Sequence, residues 1–326
     1  MPVKPIVLVA EPIADVGLQA LRTNCEIITP WQLGRAYDVE ELAAANGLII
    51  RLSKVTADVI RAAPHLKVIG RHGVGVDNVD LKAATERGIP VVFTPSALTM
   101  VNAVAEQTVQ LMLALGRHAV AEDQMVRQGR WAERSSLLGF EFYEKTLGIV
   151  GLGAIGRRVA AICQKGLGMK IAAYDPFVKQ SPADLDVTLL DSLHELLQQA
   201  DVVTLHLPST PETAYLIGAQ ELAAMKPSAL LINAARGNIV DSVALAQALQ
   251  SGHLFGAALD VFEAEPPDPT HPLLSAPRTL FSPHVASMTR GSMARMAELV
   301  ARQVAQVLTG QRPDYIANPD IYLSGS

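Results

Sequence analysis

Short, continuous runs of branched apolar residues alternate with helix-like stretches over almost the whole of this chain, and that alternation fixes the class of fold open to it. "PIVLVA" (5–10), "GLIIRL" (47–52), "LKVIGR" (66–71) and "IPVVFT" (89–94) are near-continuous apolar runs, as strands covered on both faces of a parallel sheet must be. Between them, residues 15–23, 38–45, 57–63 and 79–87 carry helical periodicity, and Thr56 stands where the helix over 57–63 needs its N-cap. The segment 101–120 reads as one long helix with Ala, Val, Leu and Met on most faces, so it should be covered on several sides. The alternation restarts with strands expected over 146–150, 169–174, 201–206, 228–233, 255–259 and 279–282, and closes with a helix over 291–309. The pattern predicts an α/β chain of two doubly wound parallel-sheet domains, one over 1–100 and 288–326, the other over 101–287. Ligands in such folds sit beyond the carboxyl ends of the strands.

Composition narrows the class of partner. With 49% hydrophobic and 18% charged residues the chain can bury a large core, and a formal net charge of -5 gives no positive field for nucleic acid or an anionic membrane. Any anionic ligand must be met by a few placed cations and backbone N–H groups. Cys25 and Cys163 lie far apart, which fits a reducing, cytoplasmic setting. The first apolar run is cut by Glu11 and Pro12 and is too short for a membrane span, so it reads as a strand. No His, Cys, Asp or Glu spacing resembles a zinc site, so no metal is expected.

"KTLGIVGLGAIGRRVAAIC" runs an apolar strand into Gly151-Leu152-Gly153-Ala154-Ile155-Gly156 and then a helix. Gly151 permits the tight turn, Gly153 lets a pyrophosphate approach the backbone, and Gly156 lets the helix pack on the strand. The free N–H groups at the helix start would receive the pyrophosphate. A second strand, "MKIAAYD", ends in Asp175, 175 − 156 = 19 residues on, close to the ~20 expected of the acid that binds the adenosine ribose. Asp175 would repel a 2′-phosphate, and Pro176, Phe177 and Val178 offer no cation to hold one. NAD is the expected cofactor.

Three polar residues stand after predicted strands of the second domain: Arg236 in "LLINAARGNIVD", Glu265 in "AALDVFEAEPP" and His284 in "TLFSPHVAS". A parallel sheet brings such strand ends to one rim. Reduction of a ketone by hydride develops alkoxide charge. His284 can supply the proton, since the unperturbed imidazole titrates near neutrality. Glu265, if bonded to the other ring nitrogen, would fix the tautomer and favour the charged ring. Arg236 offers a planar fork suited to the substrate's carboxylate and carbonyl oxygens. Singly each residue has an ordinary structural use; together, and downstream of a dinucleotide loop, they form a candidate catalytic set. The other histidines, apart from His72, have no such context and read as structural or exposed.

With these motifs the chain resembles the D-2-hydroxyacid dehydrogenase family, and most of all its phosphoglycerate-dehydrogenase-like branch. "GRHGVGVDNVDL", "GIVGLGAIGRRVA", "LHLPSTPET", "LINAARGNIVD", "GAALDVFEAEPP" and "SPHVAS" occur in the family's order and span most of the chain. The resemblance implies a flavodoxin-like substrate-binding domain, a Rossmann nucleotide-binding domain, and catalysis by Arg236, Glu265 and His284. It implies cofactor contacts from Ile155, Asp175, Leu207 and Thr213, from the 234–236 loop with Ala234 and Ala235, and from Asp260 near the nicotinamide amide. It also implies capture of the substrate carboxylate by the backbone at Val74 and Gly75, and a homodimer built through the nucleotide-binding domain. The partner molecule that the resemblance implies is a small 2-oxo or 2-hydroxy acid. The same scaffold also serves as an NAD(H)-sensing corepressor, which the missing basic surface disfavours. Phosphite oxidation is disfavoured because Val74 and its neighbours stand where that reaction expects a lysine.

Arg51 and Arg71 follow neighbouring strands of the first domain and suggest a second anionic group on the substrate, unless either is engaged by an acid of the fold. Lys54 is a further candidate cation. His72 departs from the branch, where a small residue is usual, and the 95–106 segment is about two residues longer than the usual pattern, with Asn102 off the usual polar position. The C-terminal regulatory domain of some phosphoglycerate dehydrogenases is not expected here. The Asp175 argument predicts that fluorescence titration gives tighter binding for NADH than for NADPH; the reverse order would refute it.

Overall fold

The chain divides into two compact units, Met1–Met100 with Met288–Ser326, and Val101–Ser287; the computed structural model describes residues 3–322. The first unit carries five parallel strands, β1 (Ile6–Val9), β2 (Glu26–Ile28), β3 (Gly47–Ile50), β4 (Val68–Arg71) and β5 (Val91–Val92). Their order, β2-β1-β3-β4-β5, is that of flavodoxin-like sheets, with the switch point between β1 and β3. Successive strand residues face opposite sides. Leu8, Leu48, Ile50 and Ile69 therefore build one core layer, while Val7, Val9, Ile49 and Val68 build the other, against Ala297, Val300 and Val304 of the helix Arg290–Leu308. Each fully buried aliphatic side chain contributes roughly 1.5–3 kcal/mol. The returning C-terminal segment is stitched to the sheet edge by Asn318, whose side chain accepts from Val91 N–H at 2.8 Å and donates to the Ile89 carbonyl at 2.9 Å.

The second unit carries β6 (Thr146–Val150), β7 (Lys170–Tyr174), β8 (Val187–Leu189), β9 (Val202–Leu205), β10 (Leu230–Asn233), β11 (Gly256–Leu259) and β12 (Thr279–Phe281). They pair in parallel in the order β12-β11-β10-β9-β6-β7-β8. Counted from β6, this is the Rossmann order with one added strand, and its switch point lies between β6 and β9. Leu147, Ile149, Ile232 and Ala258 face one core layer, with Leu111, Met112 and Leu115 of the helix Val101–Gly116. Val150, Val203, Leu231 and Leu259 face the other.

Two sheet-edge strands, β2 and β8, lie outside the apolar runs read from the sequence; each has three residues and an exposed position, Glu26 and Thr188. The single helix expected over 101–120 is a correction: it ends at Gly116, and a new helix, Ala119–Arg127, begins after His118, whose φ is 54°. Phe142 packs against the last turn, where a Cβ on Gly116 would meet its ring at 2.5 Å. Among the described residues no helix is long and apolar enough to cross a membrane.

Candidate active site

The glycine loop leaves β6 through Gly151, whose φ of 94° and whose missing Cβ, which would lie 2.6 Å from the His206 carbonyl oxygen, both exclude a side chain. A Cβ on Gly156 would meet the Gly151 carbonyl oxygen at 2.2 Å, so the helix Ala154–Leu167 can sit on the loop only with glycine there. Gly153 differs: nothing of the protein lies within 4 Å of where its Cβ would be. It is also the N-cap, and it brings no capping side chain to the first N–H groups of the helix, which begins at Ala154 and Ile155. Open space above uncapped N–H groups suits a pyrophosphate. Asp175, just after β7, is fixed at the loop's lip: one carboxylate oxygen accepts from Leu152 N–H at 2.8 Å, the other from Phe177 N–H at 2.9 Å. The residues present fit a dinucleotide.

Other expected cofactor residues have protein partners of their own. The Thr213 hydroxyl accepts from Thr210 N–H at 2.8 Å and donates to the Pro208 carbonyl at 2.7 Å. Leu207 packs beside Gly151, and Ala234 and Ala235 form a nearly buried turn after β10. His206, read from the sequence without a role, supports the loop: its carbonyl backs Gly151, its Nε2 lies 3.1 Å from Thr204 Oγ1, and burial pushes its pKa down to about 4.

Arg236, Glu265 and His284 follow β10, β11 and β12, three neighbours in one parallel sheet, so they lie along one rim. Buried Asn233 clamps the Arg236 turn, accepting from Ala235 N–H at 3.0 Å and donating to the Arg236 carbonyl at 2.9 Å. A Cβ on Gly237 would lie 1.9 Å from the Phe262 carbonyl carbon. The turn that carries Arg236 and the segment that carries Glu265 are therefore in backbone contact. Phe262 N–H donates to Glu265 Oε1 at 3.1 Å, and Glu265 Oε2 lies 2.7 Å from His284 Nδ1. Both side chains stay open, 38% and 50% exposed, and Nε2 is left to meet a ligand.

His284 has a left-handed backbone, φ 52°, which an L residue adopts only under constraint. Asp260 supplies the constraint. Its carbonyl accepts from His284 N–H at 2.7 Å, while its carboxylate accepts from the Ser282 hydroxyl, from Val285 N–H at 3.0 Å and from Ala286 N–H at 2.8 Å. Asp260, the residue expected beside the nicotinamide amide, is fully buried and holds the His284 segment through these bonds. The pair opens onto a cavity of about 460 Å³ lined also by Phe262, Pro266, Phe281 and Pro283.

In the first unit, Arg71 ends β4 and pairs in register with Ile50, so Arg51 begins the neighbouring strand's exit. Glu11 fixes that exit, its carboxylate accepting from the N–H groups of Arg51 at 2.6 Å, Leu52 at 3.0 Å and Ser53 at 3.1 Å. Burial pushes the Glu11 carboxyl up, but these donors outweigh it and hold it below its ordinary range. The Arg51 guanidinium donates to the Pro12 carbonyl at 3.3 Å and that of Arg71 to the His72 carbonyl at 2.5 Å. His72 is 2% exposed; burial first, then the Arg51 and Arg71 charges, push its pKa down to about 4, so the ring is neutral at pH 7. Among the described residues, neither Val74 nor Gly75 donates its N–H to a protein acceptor, which leaves two adjacent donors for an anion. Lys54 is exposed, and Asn102 lies exposed on the helix Val101–Gly116. Among the described residues no three His, Cys, Asp or Glu side chains group as metal ligands.

Residues 109–286 match the family model described as D-isomer specific 2-hydroxyacid dehydrogenase, NAD binding domain. A D-3-phosphoglycerate dehydrogenase of Archaeoglobus fulgidus is 41% identical over 307 residues, 93% of this chain; the chain spans only 57% of that relative's length. A glyoxylate reductase of Thermofilum pendens is 40% identical over 98% of this chain and 96% of its own. Among solved structures, an NADPH-dependent glyoxylate/hydroxypyruvate reductase of Sinorhizobium meliloti aligns with a TM-score of 0.85 at 29% identity, over 97% of this chain and 99% of its own.

The Asp260 network predicts that Asp260→Ala, which strands one buried and two part-buried donors, destabilises the second unit by about 3 kcal/mol. Amide exchange at Val285 and Ala286 should accelerate with it. Unchanged protection at both amides would contradict the clamp.

Proposed function

The chain belongs to the D-isomer specific 2-hydroxyacid dehydrogenase family, and from that premise we propose that it moves a hydride between NAD(H) and C2 of a small 2-oxo or 2-hydroxy acid. The observation that carries the reading is the Glu265–His284 pair, 2.7 Å apart with Nε2 open, on the same rim as Arg236. NADH, when bound, supplies the hydride to C2. His284 gives the Nε2 proton to the carbonyl oxygen as it becomes a hydroxyl, and takes it back in the oxidation direction. Glu265 holds the Nδ1 proton and so fixes which nitrogen faces the substrate. Arg236 polarises the carbonyl and meets the carboxylate. Asp175 supports NAD over NADP, because its fixed carboxylate would repel a 2′-phosphate.

The substrate reading rests on the first unit. The free N–H groups of Val74 and Gly75 suit a carboxylate. Arg51 and Arg71, at neighbouring strand ends, suit a second anionic group, as on the phosphorylated acids that one set of relatives is named for. A panel of glyoxylate, hydroxypyruvate and 3-phosphohydroxypyruvate with NADH tests this. Turnover of at least one is expected, with the phosphorylated acid preferred and that preference lost in Arg51→Ala. His284→Asn should lower kcat by at least about 100-fold with NADH affinity unchanged; full activity in that variant would sink the acid/base assignment.

We further propose a homodimer through the second unit. Val120, Val126, Trp131 and Leu138 are exposed there, and Val109, Leu113 and Ile162 line an open apolar groove. Sedimentation equilibrium should give twice the chain mass; a monomer at micromolar concentration would refute this reading.

A further inference from the structure

The pairing of Glu265 with His284 depends on how the turn before Glu265 is held, and a second acid, Glu263, grips that turn. Its carboxylate reaches the N-terminus of the helix Ser242–Gln250. Asp241 caps that helix by accepting from Val243 N–H at 3.0 Å and Ala244 N–H at 2.9 Å, which leaves the Ser242 N–H without an intrahelical partner. Glu263 Oε1 takes that donor at 3.0 Å and accepts the Ser242 hydroxyl as well. Oε2 accepts the Tyr215 hydroxyl at 3.1 Å. Behind Ser242, its Oγ lies 3.1 Å from His271 Nε2, and His271 Nδ1 accepts from Leu273 N–H at 3.2 Å. That bond makes Nδ1 the acceptor, so Nε2 carries the proton and points it at the serine, whose own proton is free for Glu263. An anion at a helix N-terminus is also favoured by the helix dipole.

These bonds hold the turn before Glu265, and so does a contact with Gly237. The Phe262 backbone rests where a Gly237 Cβ would be, 1.9 Å from its carbonyl carbon. Phe262 N–H then donates to Glu265 Oε1, and Glu265 Oε2 meets His284. Residues 262–265 are thus held by both the Arg236 turn and the Ser242 helix, and the Glu265 carboxylate links that held segment to His284.

We propose that Glu263 is a positioning residue for the acid/base pair: its carboxylate sets the 262–265 turn, and through Phe262 N–H it orients Glu265 towards His284. The proposal rests on the acid/base reading above. Nothing in the glycine loop depends on it, so nucleotide affinity should not.

The test is a double-mutant cycle on the intact chain, read as kcat with glyoxylate and NADH and as the Kd of NADH. Glu263→Ala should lower kcat about 10-fold and leave the NADH Kd within about twofold, while Glu263→Gln, which keeps an acceptor for Ser242, should lose less. In a Glu265→Gln background the same Glu263→Ala change should cost less than about twofold, because the group it positions is gone. Equal losses in both backgrounds, or no loss in the wild-type background, would overturn the proposal. Should Glu263→Ala fail to fold, Tyr215→Phe removes one donor at an exposed site and carries the same cycle with the same criterion. A Glu265→Gln variant with wild-type kcat would instead overturn the acid/base reading itself, and the Glu263 proposal with it.

Discussion

One buried carboxylate governs the second unit. Asp260 has no exposure, and an ionised acid without partners there would be untenable. Three donors from residues 282–286 satisfy it, and in doing so they bind the end of β12 to the end of β11. His284 sits inside that loop with a left-handed backbone, a conformation that costs an L residue about 1–2 kcal/mol. The carboxylate network offsets that cost. The imidazole is therefore aimed by the backbone as well as by Glu265, and its direction is set before any ligand arrives. Such preorganisation is where an enzyme gains most over water.

How far the sequence reveals this depends on the range of the interaction. Strands such as β6, β10 and β11 are legible because they are buried on both faces and read as unbroken apolar runs. β2 and β8 are not, since an edge strand of three residues with a solvent-facing member has too little pattern to stand out. Helical periodicity runs past Gly116 because no proline or paired turn residues mark the break. The left-handed His118 is fixed instead by its ring against Phe255, 5.5 Å away, and by the Leu138 carbonyl.

The site divides in the same way. The residue types at strand ends point to Arg236, Glu265 and His284, and strand order then places them on one rim. The tasks of Asn233, Asp260 and Glu263 stay hidden, because each is a hydrogen-bonding choice made by the folded backbone. In the first unit, sequence shows two arginines and an unusual histidine. Only the fold shows that the histidine is too buried to carry charge, and that Glu11 spends its own charge on the backbone of residues 51–53. The positive charge at the ends of β3 and β4 is thus carried by the two guanidinium groups and Lys54.

The contact between Gly237 and Phe262 also bears on how such a chain can change over generations. Two backbones that touch without a side chain between them move as one part. Spreading the Arg236 turn and the Glu265 segment apart, or drawing them together, would break that contact. Variation is easier at places with slack, such as Val74 and Gly75, whose N–H groups have no protein acceptor among the described residues. On the proposed reading, a coupled rim keeps the chemistry constant, while a less committed turn elsewhere in the chain is free to vary.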